Sequence, residues 1–550
     1  VLRARCQTDR RLFARYFFHE RLADERTGKP IPFSPFHLSA LDAPKLGYRE
    51  RGPGQGWRRA RMGPRGNGKT TICLRVELTH DIVYELERYV VILAESANLA
   101  RARVFELAIE LENNTRLRHY FGDLVGDDIW RRSQGELLTT NGVIVLAKSM
   151  ESQIRGLLHP RTNARPTKIV LDDAEDSQDV LNPELRERDR RRFAEDIEGA
   201  ASIDGSTCFQ MTGTPLHREA LLPSLRQNPA WDFQTFPAVR SWPKRMDLWE
   251  RCRELWAAAG APETEDEQDA PARVAADTVA TRFYQAHRRA MDEGADVLWP
   301  EREPLLRLML SRWTNGEAAF WKEKLLVPRD PTLATFDVDR IVRHRIEGDA
   351  LYVPRHGAEP RKVKLASLRF VAFHDPAKAD PTASGRRKKT RLGDFAAIVV
   401  VGIEELETGG RFGHVVAAWL ERKPVSEQIT AAFEMAERWH YDLIVENDTL
   451  GLLGADYRRV RKERQAAQLF WQVPIRTLDR QSIRKDARIA SLEPAYTNGW
   501  LSWNAALPME YVNQHRDHPT GDHDDGPDAT EGAWRAATRK GAHLALVNLD

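Results

Sequence analysis

At 550 residues, with 41% hydrophobic and 30% charged side chains, the chain is too long for one ordinary core and is expected to hold two domains. The net charge is only +2, so any grip on nucleic acid has to come from local basic patches rather than from the field of the whole molecule. Cys6, Cys73, Cys208 and Cys252 are scattered, with neither CxxC nor paired Cys/His spacing, which argues against a disulfide framework and a structural zinc site and fits a reducing cytosol. Nothing at the N-terminus reads as a signal peptide, and no stretch approaches the roughly 20 apolar residues of a membrane span, so a soluble protein is expected. The chain opens on Val1 rather than Met, and further residues are expected upstream of it.

The first half places short apolar runs between longer amphipathic segments. The runs are Tyr89–Ala94, Gly142–Leu146, Lys168–Leu171 and Thr207–Thr212. This alternation predicts a mostly parallel sheet covered by helices. Residues 258–276 are rich in Ala, Pro and acids without apolar periodicity and read as a mobile insertion.

Gly63-Pro64-Arg65-Gly66-Asn67-Gly68-Lys69-Thr70 satisfies GxxxxGK[ST] in full, and helical spacing follows from Thr71 to Leu86. Glycines at 63, 66 and 68 let backbone N–H groups wrap phosphates, and the helix N-terminus adds a favourable dipole. Lys69 then reaches the β- and γ-phosphates of ATP, and the Thr70 hydroxyl, with Thr71 beside it, faces Mg²⁺. Such a loop needs an acid at the end of a neighbouring strand, and Ile169-Val170-Leu171-Asp172-Asp173 supplies it. Asp172 is expected to hold Mg²⁺ through water. Either Asp173 or Glu175 is placed to polarise the attacking water, with Asp173 slightly favoured. Asp176 and Asp179 read as helix caps. Thr214, in Met211-Thr212-Gly213-Thr214-Pro215 after a further strand, is a candidate γ-phosphate sensor, although a plain turn has the same sequence.

A second unit begins near residue 340. Leu368–Phe373, Phe395–Ile403 and His414–Trp419 read as strands, followed by a helix over 425–440, a strand at Asp442–Glu446, another helix, a strand near 469–475, and helices to the end. The order βββαβαβ-helix is that of the ribonuclease H-like fold. The expected division is 1–335 for the ATPase and 336–550 for the second domain. Phosphodiester cleavage needs several carboxylates converging on two divalent ions. Asp375 follows the first of these strands, Glu446 ends the fourth, and Asp525 and Asp528, three residues apart, open a helix.

Together these stretches resemble the large terminase subunits of tailed bacteriophages. The resemblance rests on the P-loop with its internal Arg65, Val170-Leu171-Asp172-Asp173, Thr212-Gly213-Thr214-Pro215, and Phe373-His374-Asp375-Pro376-Ala377. It continues through Gly393-Asp394-Phe395-Ala396-Ala397-Ile398, Val445-Glu446-Asn447 and Asp524-Asp525-Gly526-Pro527-Asp528-Ala529, and in the linking segment Phe320–Leu325 with Val327-Pro328-Arg329. It implies an α/β chain made of a P-loop ATPase followed by a ribonuclease H-like, metal-dependent endonuclease, with Asp375, Glu446 and Asp525 as principal metal ligands and Asp528 and Asp394 as auxiliary ones. The implied cofactors are ATP and Mg²⁺, with Mn²⁺ a possibility at the nuclease. The implied partners are double-stranded DNA, a portal ring, a small terminase subunit and further copies of the chain in a ring, a pentamer by the family's habit, in the host cytoplasm and transiently docked on the procapsid. An arginine acting from the next subunit would be Arg155, then Arg161 or Arg165. Two departures stand out: Asp173 occupies the usual glutamate position, and Phe33-Ser34-Pro35-Phe36-His37 matches the base-contacting motif only loosely and reads equally as packing.

The run Arg386–Arg391 falls between two strands and is divided evenly between a phosphate-gripping loop and a solvated hairpin tip. Arg186–Arg192 mixes signs along a helix and reads as a salt-bridged face. His515, His518 and His523 could suggest a metal site, but their irregular spacing favours reading them as accessory loop residues. A repair translocase fused to a nuclease would need a second motor domain where residues 340–550 read as a nuclease, and a catalytically dead prophage remnant would not be expected to keep Lys69, Asp172, Asp375 and Glu446.

Overall fold

The computed structural model describes residues 1–125, 130–131, 135–152, 154–159, 163–177, 179–260, 271–328, 335–355, 358–377, 395–407, 409–467, 473–478, 483–538 and 545–546. Asp394, Arg161 and the basic run 386–391 lie outside these residues. Two compact units emerge: residues 1–244, 294–308 and 318–330 form one, and residues 245–293, 309–317 and 331–550 form the other. The chain therefore passes between units several times, where the sequence suggested one boundary at 335/336.

The first unit is built on an eight-stranded sheet. Its strands are β1 (Arg58–Met62), β2 (Tyr89–Ala94), β3 (Trp130–Arg131), β4 (Glu136–Leu138), β5 (Ile144–Ser149), β6 (Lys168–Asp172), β7 (Cys208–Gly213) and β8 (Asp232–Thr235), in the spatial order 3-4-5-2-6-7-1-8. All neighbouring pairs from β5 to β8 are parallel, and only β3/β4 and β4/β5 are antiparallel. Strand β2 is buried along its whole length, as its unbroken apolar run requires of a strand covered on both faces. A small antiparallel pair, β9 (Val239–Ser241) and β10 (Asp296–Val297), belongs to the same unit.

The β1 sequence, Arg-Arg-Ala-Arg-Met, does not look like a core strand. The buried guanidinium groups of Arg59 and Arg61 are accommodated by backbone oxygens: Arg61 donates to the Ser39 carbonyl at 3.0 Å, and Arg59 to the Pro44 carbonyl at 2.5 Å. Burial is thereby reconciled with charge by hydrogen bonding.

The second unit carries a ten-stranded mixed sheet. In chain order its strands are β11 (Arg343–Glu347), β12 (Ala350–Arg355), β13 (Ala358–Lys364), β14 (Arg369–Asp375), β15 (Ala396–Glu405), β16 (Arg411–Glu421), β17 (Asp442–Glu446), β18 (Ile475–Leu478), β19 (Leu501–Asn504) and β20 (Ala545–Leu546). At its heart β16-β15-β14 pair antiparallel, and β14, β17 and β18 run parallel. The third-second-first-fourth-fifth order of strands is the ribonuclease H-like arrangement. Helices Val425–Trp439 and Asn447–Ala466 supply the crossovers, and helix Asp525–Thr538 lies across β14 and β15.

Several details depart from the sequence reading. A β11–β13 meander precedes the core strands, and β19 inserts parallel between β11 and β16, where only helices were expected. The strand expected near 469–475 is β18, from Ile475 onward. The expected insertion at 258–276 falls partly on residues 261–270, outside the described residues, but Pro271–Met291 is a helix of 21 residues with Ala276 buried. Acid-rich sequence upstream of 271 hides a helix that begins within the window.

Candidate functional site

The P-loop leaves β1 at Gly63, whose N–H donates to the Gly213 carbonyl at 3.1 Å. A side chain at Gly63 would put a Cβ 3.0 Å from the Phe36 ring and 3.1 Å from Lys69 Cδ, so the motif's first glycine answers a close approach. Gly66 and Gly68 adopt left-handed backbone (φ 85° and 68°), which turns the loop before the helical segments Thr70–Val76 and Glu77–Val83. Lys69 is buried, and burial lowers its pKa against the pull of Asp173 and Asp172. Its ammonium donates to the Pro64 carbonyl at 3.1 Å and to Thr214 Oγ1 at 2.8 Å. Thr214 in turn donates to the Gly63 carbonyl at 3.0 Å.

Because β7 lies between β1 and β6, its end faces both the P-loop and the acidic strand. Thr70 Oγ1 donates to the Asp172 carboxylate at 3.1–3.3 Å. A hydroxyl and a carboxylate so placed fit a Mg²⁺ site of the type expected of this loop. Asp172 is buried, and burial with Asp173 beside it pushes its pKa up to about 6, against Arg103, whose Nε lies 3.1 Å from Oδ2. Arg103, on helix Ala97–Asn113, was not singled out from the sequence; nothing in its helical context marks it.

The two candidates for polarising water part company here. Asp173 has left-handed backbone (φ 43°), is exposed, and accepts the Thr214 N–H at 3.3 Å. Glu175 instead accepts the N–H groups of Leu221 and Leu222 at 2.5 and 3.1 Å, and burial pushes its pKa up to about 7. Its oxygens are engaged in capping the turn 221–224. A cavity of ≈ 290 Å³ is lined by Lys69, Arg103, Asp173, Glu175, Thr214 and Glu323 among others. Arg65 pairs with Glu323 at 3.3 Å, and Lys324 donates to the Arg65 carbonyl at 3.0 Å, so residues 323–324 brace the loop.

On the loop's other side, a cavity of ≈ 150 Å³ is lined by Gly66, Gly68 and Thr71 together with Phe33, His37 and Trp299. Ser34 and His37 form a reciprocal cap of helix Pro35–Asp42, and His37 Nε2 lies 2.7 Å from the Asn67 carbonyl of the P-loop. Burial lowers the His37 pKa to about 4, so the ring is neutral at pH 7. Trp299, distant in sequence, packs edge-on against His37 with ring centroids 4.6 Å apart.

Arg155 is exposed and binds within its own unit, Nε lying 2.7 Å from Asp196 Oδ1 and donating to the Glu195 carbonyl at 3.0 Å. Arg165 is half-buried. Asp176 accepts the Asp179 N–H at 3.0 Å, as a capping residue does, whereas Asp179 pairs with Arg188 at 2.9 Å. Helix Pro183–Arg192 carries its expected ion pairs, although Arg186 itself is buried on Glu219.

In the second unit Asp375 and Glu446 end adjacent parallel strands: Phe373 pairs with Ile444, which puts the two carboxylates at the same level, two residues further on. Helix Asp525–Thr538 brings Asp525 and Asp528, both buried, to one face at its N-terminus. The helix lies so close to β14 that a Cβ on Gly532 would come within 2.5–2.7 Å of the Phe373 ring. Two cations balance the acids. Arg488 donates to both Asp528 oxygens at 3.1–3.2 Å, and Lys485 lies 2.7 Å from Asp524. Burial lowers the Lys485 pKa, but Asp524, Asp528 and Asp375 outweigh it and raise the value overall. Carboxylates at two strand ends and a helix start, with cations crowding them, fit a divalent-metal site by their donor set.

These features define an α/β chain that joins a P-loop unit to a ribonuclease H-like unit. The solved structures most like it include the large terminase of a thermophilic bacteriophage, at 11% identity and TM-score 0.40 over 92% of this chain and 98% of that one. The same protein in complex with ADP aligns at 12% identity and TM-score 0.38, with 92% and 98% of the two chains covered. The HK97 bacteriophage large terminase aligns at 16% identity and TM-score 0.29, with 94% and 98% covered. No family model matches the sequence, and no curated protein does. Among the described residues no helix is long and apolar enough to cross a membrane.

Proposed function

We propose that the chain is the large subunit of a viral DNA-packaging motor, an ATPase that translocates double-stranded DNA and an endonuclease that cuts it. The observation that carries the reading is the convergence of Lys69, Thr70, Asp172, Asp173 and Thr214 at the ends of three adjacent parallel strands. That is the donor set for binding and hydrolysing a nucleoside triphosphate.

In this reading the backbone N–H groups of residues 65–70 cradle the phosphates, and Lys69 turns from Thr214 to the γ-phosphate. Thr70 and Asp172 hold Mg²⁺, which neutralises phosphate charge when bound. Asp173 orients the water, and Glu175 holds the turn at 221–224. Thr214, released by Lys69, reports the state of the γ-phosphate to β7. Arg155, Arg161 or Arg165 acts on the neighbouring subunit's nucleotide. Asp375, Glu446 and Asp525 hold the nuclease ions, Mg²⁺ or Mn²⁺, with Asp528 and Asp394 supporting them. The partners are DNA, a portal ring, a small subunit and further copies of the chain, in the host cytoplasm.

The test is ATP hydrolysis by the full chain with and without linear double-stranded DNA. The proposal expects DNA to stimulate hydrolysis and Lys69→Ala to reduce it about 100-fold or more, the scale of losing a charge-stabilising donor. Hydrolysis indifferent to both DNA and Lys69 would count against it.

A further inference from the structure

His518 was read from the sequence as an accessory loop residue, yet it is 3% exposed. Its Nδ1 lies 2.8 Å from the Thr335 hydroxyl, and the Thr335 N–H donates to the His518 carbonyl at 2.9 Å. Those contacts fix the ring. Nε2 is buried and makes no hydrogen bond among the described residues. A buried imidazole nitrogen left in that state is costly unless it has a further partner.

Two carboxylates lie close to the ring. Asp486, on helix Lys485–Ala490, and Asp524, just before helix Asp525–Thr538, each offer an oxygen, and the ligand atoms of Asp486, His518 and Asp524 all lie within 4.8 Å of one another. Lys485 holds one Asp524 oxygen at 2.7 Å, and the carboxylate retains further lone pairs for a second partner. In the tautomer whose Nδ1–H donates to the Thr335 hydroxyl, Nε2 presents a lone pair. A histidine oriented through its other nitrogen is how proteins usually prepare an imidazole ligand.

We propose that Asp486, His518 and Asp524 form a divalent transition-metal site, separate in its ligands from the Asp375, Glu446 and Asp525 set. One imidazole with two carboxylates favours Mn²⁺ or Zn²⁺ over Mg²⁺ or Ca²⁺, which prefer oxygen alone. The ion ties the segment after helix Met509–Asp517 to helix Lys485–Ala490 and fixes the start of the helix that carries Asp525 and Asp528. Its role is positional.

The experiment uses the full chain carrying Asp375→Asn and Glu446→Gln, which weakens metal binding at the other site. Mn²⁺ is titrated in, and pulsed electron paramagnetic resonance reads ¹⁴N modulation from a coordinated imidazole. The proposal expects that modulation, and its loss when His518→Phe is added. Because position 518 is buried, Asp486→Asn, at an exposed position, provides a second arm. It should weaken Mn²⁺ binding at the nitrogen-coupled site by about ten-fold or more, as loss of a ligand does. Absence of nitrogen modulation in the parent, its persistence in His518→Phe, or unchanged affinity in Asp486→Asn would each overturn the proposal.

Discussion

Lys69 Nζ donates to the Thr214 hydroxyl at 2.8 Å, which ties the P-loop cation to the end of the strand between the P-loop and the acidic strand. The contact satisfies a buried ammonium, and the same ammonium is the group that would face a γ-phosphate. Replacing Thr214 with Val keeps shape and removes the hydroxyl. The expected outcome is a fall in kcat for ATP of about ten-fold with a smaller change in KM, since the link is proposed to act after nucleotide binds. Thr214→Ser should restore most of the rate. Steady-state kinetics of the two variants measures this.

Asp173 and Glu175 are separated by their hydrogen bonds, and mutation should separate them again. Asp173→Asn is expected to lower ATP hydrolysis by roughly 100-fold while nucleotide still binds, the scale of losing a general base. Glu175→Gln should leave hydrolysis within a few-fold of wild type.

Glu175 also carries a pH signature. Its folded pKa of about 7 lies above the ordinary 4.5, so between those values the folded chain keeps a proton that the unfolded chain has released. The group's contribution therefore favours folding at low pH and fades as pH rises through about 7. A rise of that size corresponds to a full effect of about 3 kcal/mol. Comparing urea unfolding of wild type and Glu175→Gln at pH 5 and pH 8 should show the variant gaining relative stability at the higher pH.

Beneath the P-loop helix, Lys168 and Lys45 meet Asp81 at 2.8 and 3.1 Å, and Lys45 also meets Glu77 at 3.1 Å, all four side chains being buried. Gln210 of β7 donates to Glu77 at 3.1 Å. Removing one partner leaves a buried charge uncompensated, so Lys168→Met should cost about 3–5 kcal/mol. Adding Asp81→Asn should recover part of that loss. Chemical denaturation of the single and double variants decides it.

Gly532→Ala would drive a methyl group into the Phe373 ring. A cost of about 1–3 kcal/mol is expected, together with displacement of the helix that carries Asp525 and Asp528 away from β14. Plasmid cleavage should fall while ATP hydrolysis is retained; unchanged cleavage would mean that the close approach is not needed for the site.

Much of this architecture is legible in the sequence, and the exceptions have physical causes. Tyr89–Ala94 announces itself because a strand buried on both faces must be continuously apolar. The spacing of Asp525 and Asp528 survives because helix geometry places them together wherever the helix lies. By contrast, β1 is disguised by Arg59 and Arg61, whose burial depends on carbonyls brought in from residues 39–44. The β11 run Arg-His-Arg-Ile-Glu has too little apolar patterning to mark a strand, and β19 spans only four residues. Arg103 and Trp299 became visible only when folding brought distant segments to Asp172 and His37, because their local sequence carries no signal of those partners.

The most direct test of two separable engines on one chain is a paired assay of plasmid cleavage in Mg²⁺ or Mn²⁺ and of ATP hydrolysis, run on wild type, Lys69→Ala and Asp375→Ala. The account predicts that Lys69→Ala loses hydrolysis and keeps cleavage, and that Asp375→Ala loses cleavage and keeps hydrolysis. Loss of both activities in either folded variant, or a wild type that hydrolyses ATP but never cuts with either metal, would contradict it.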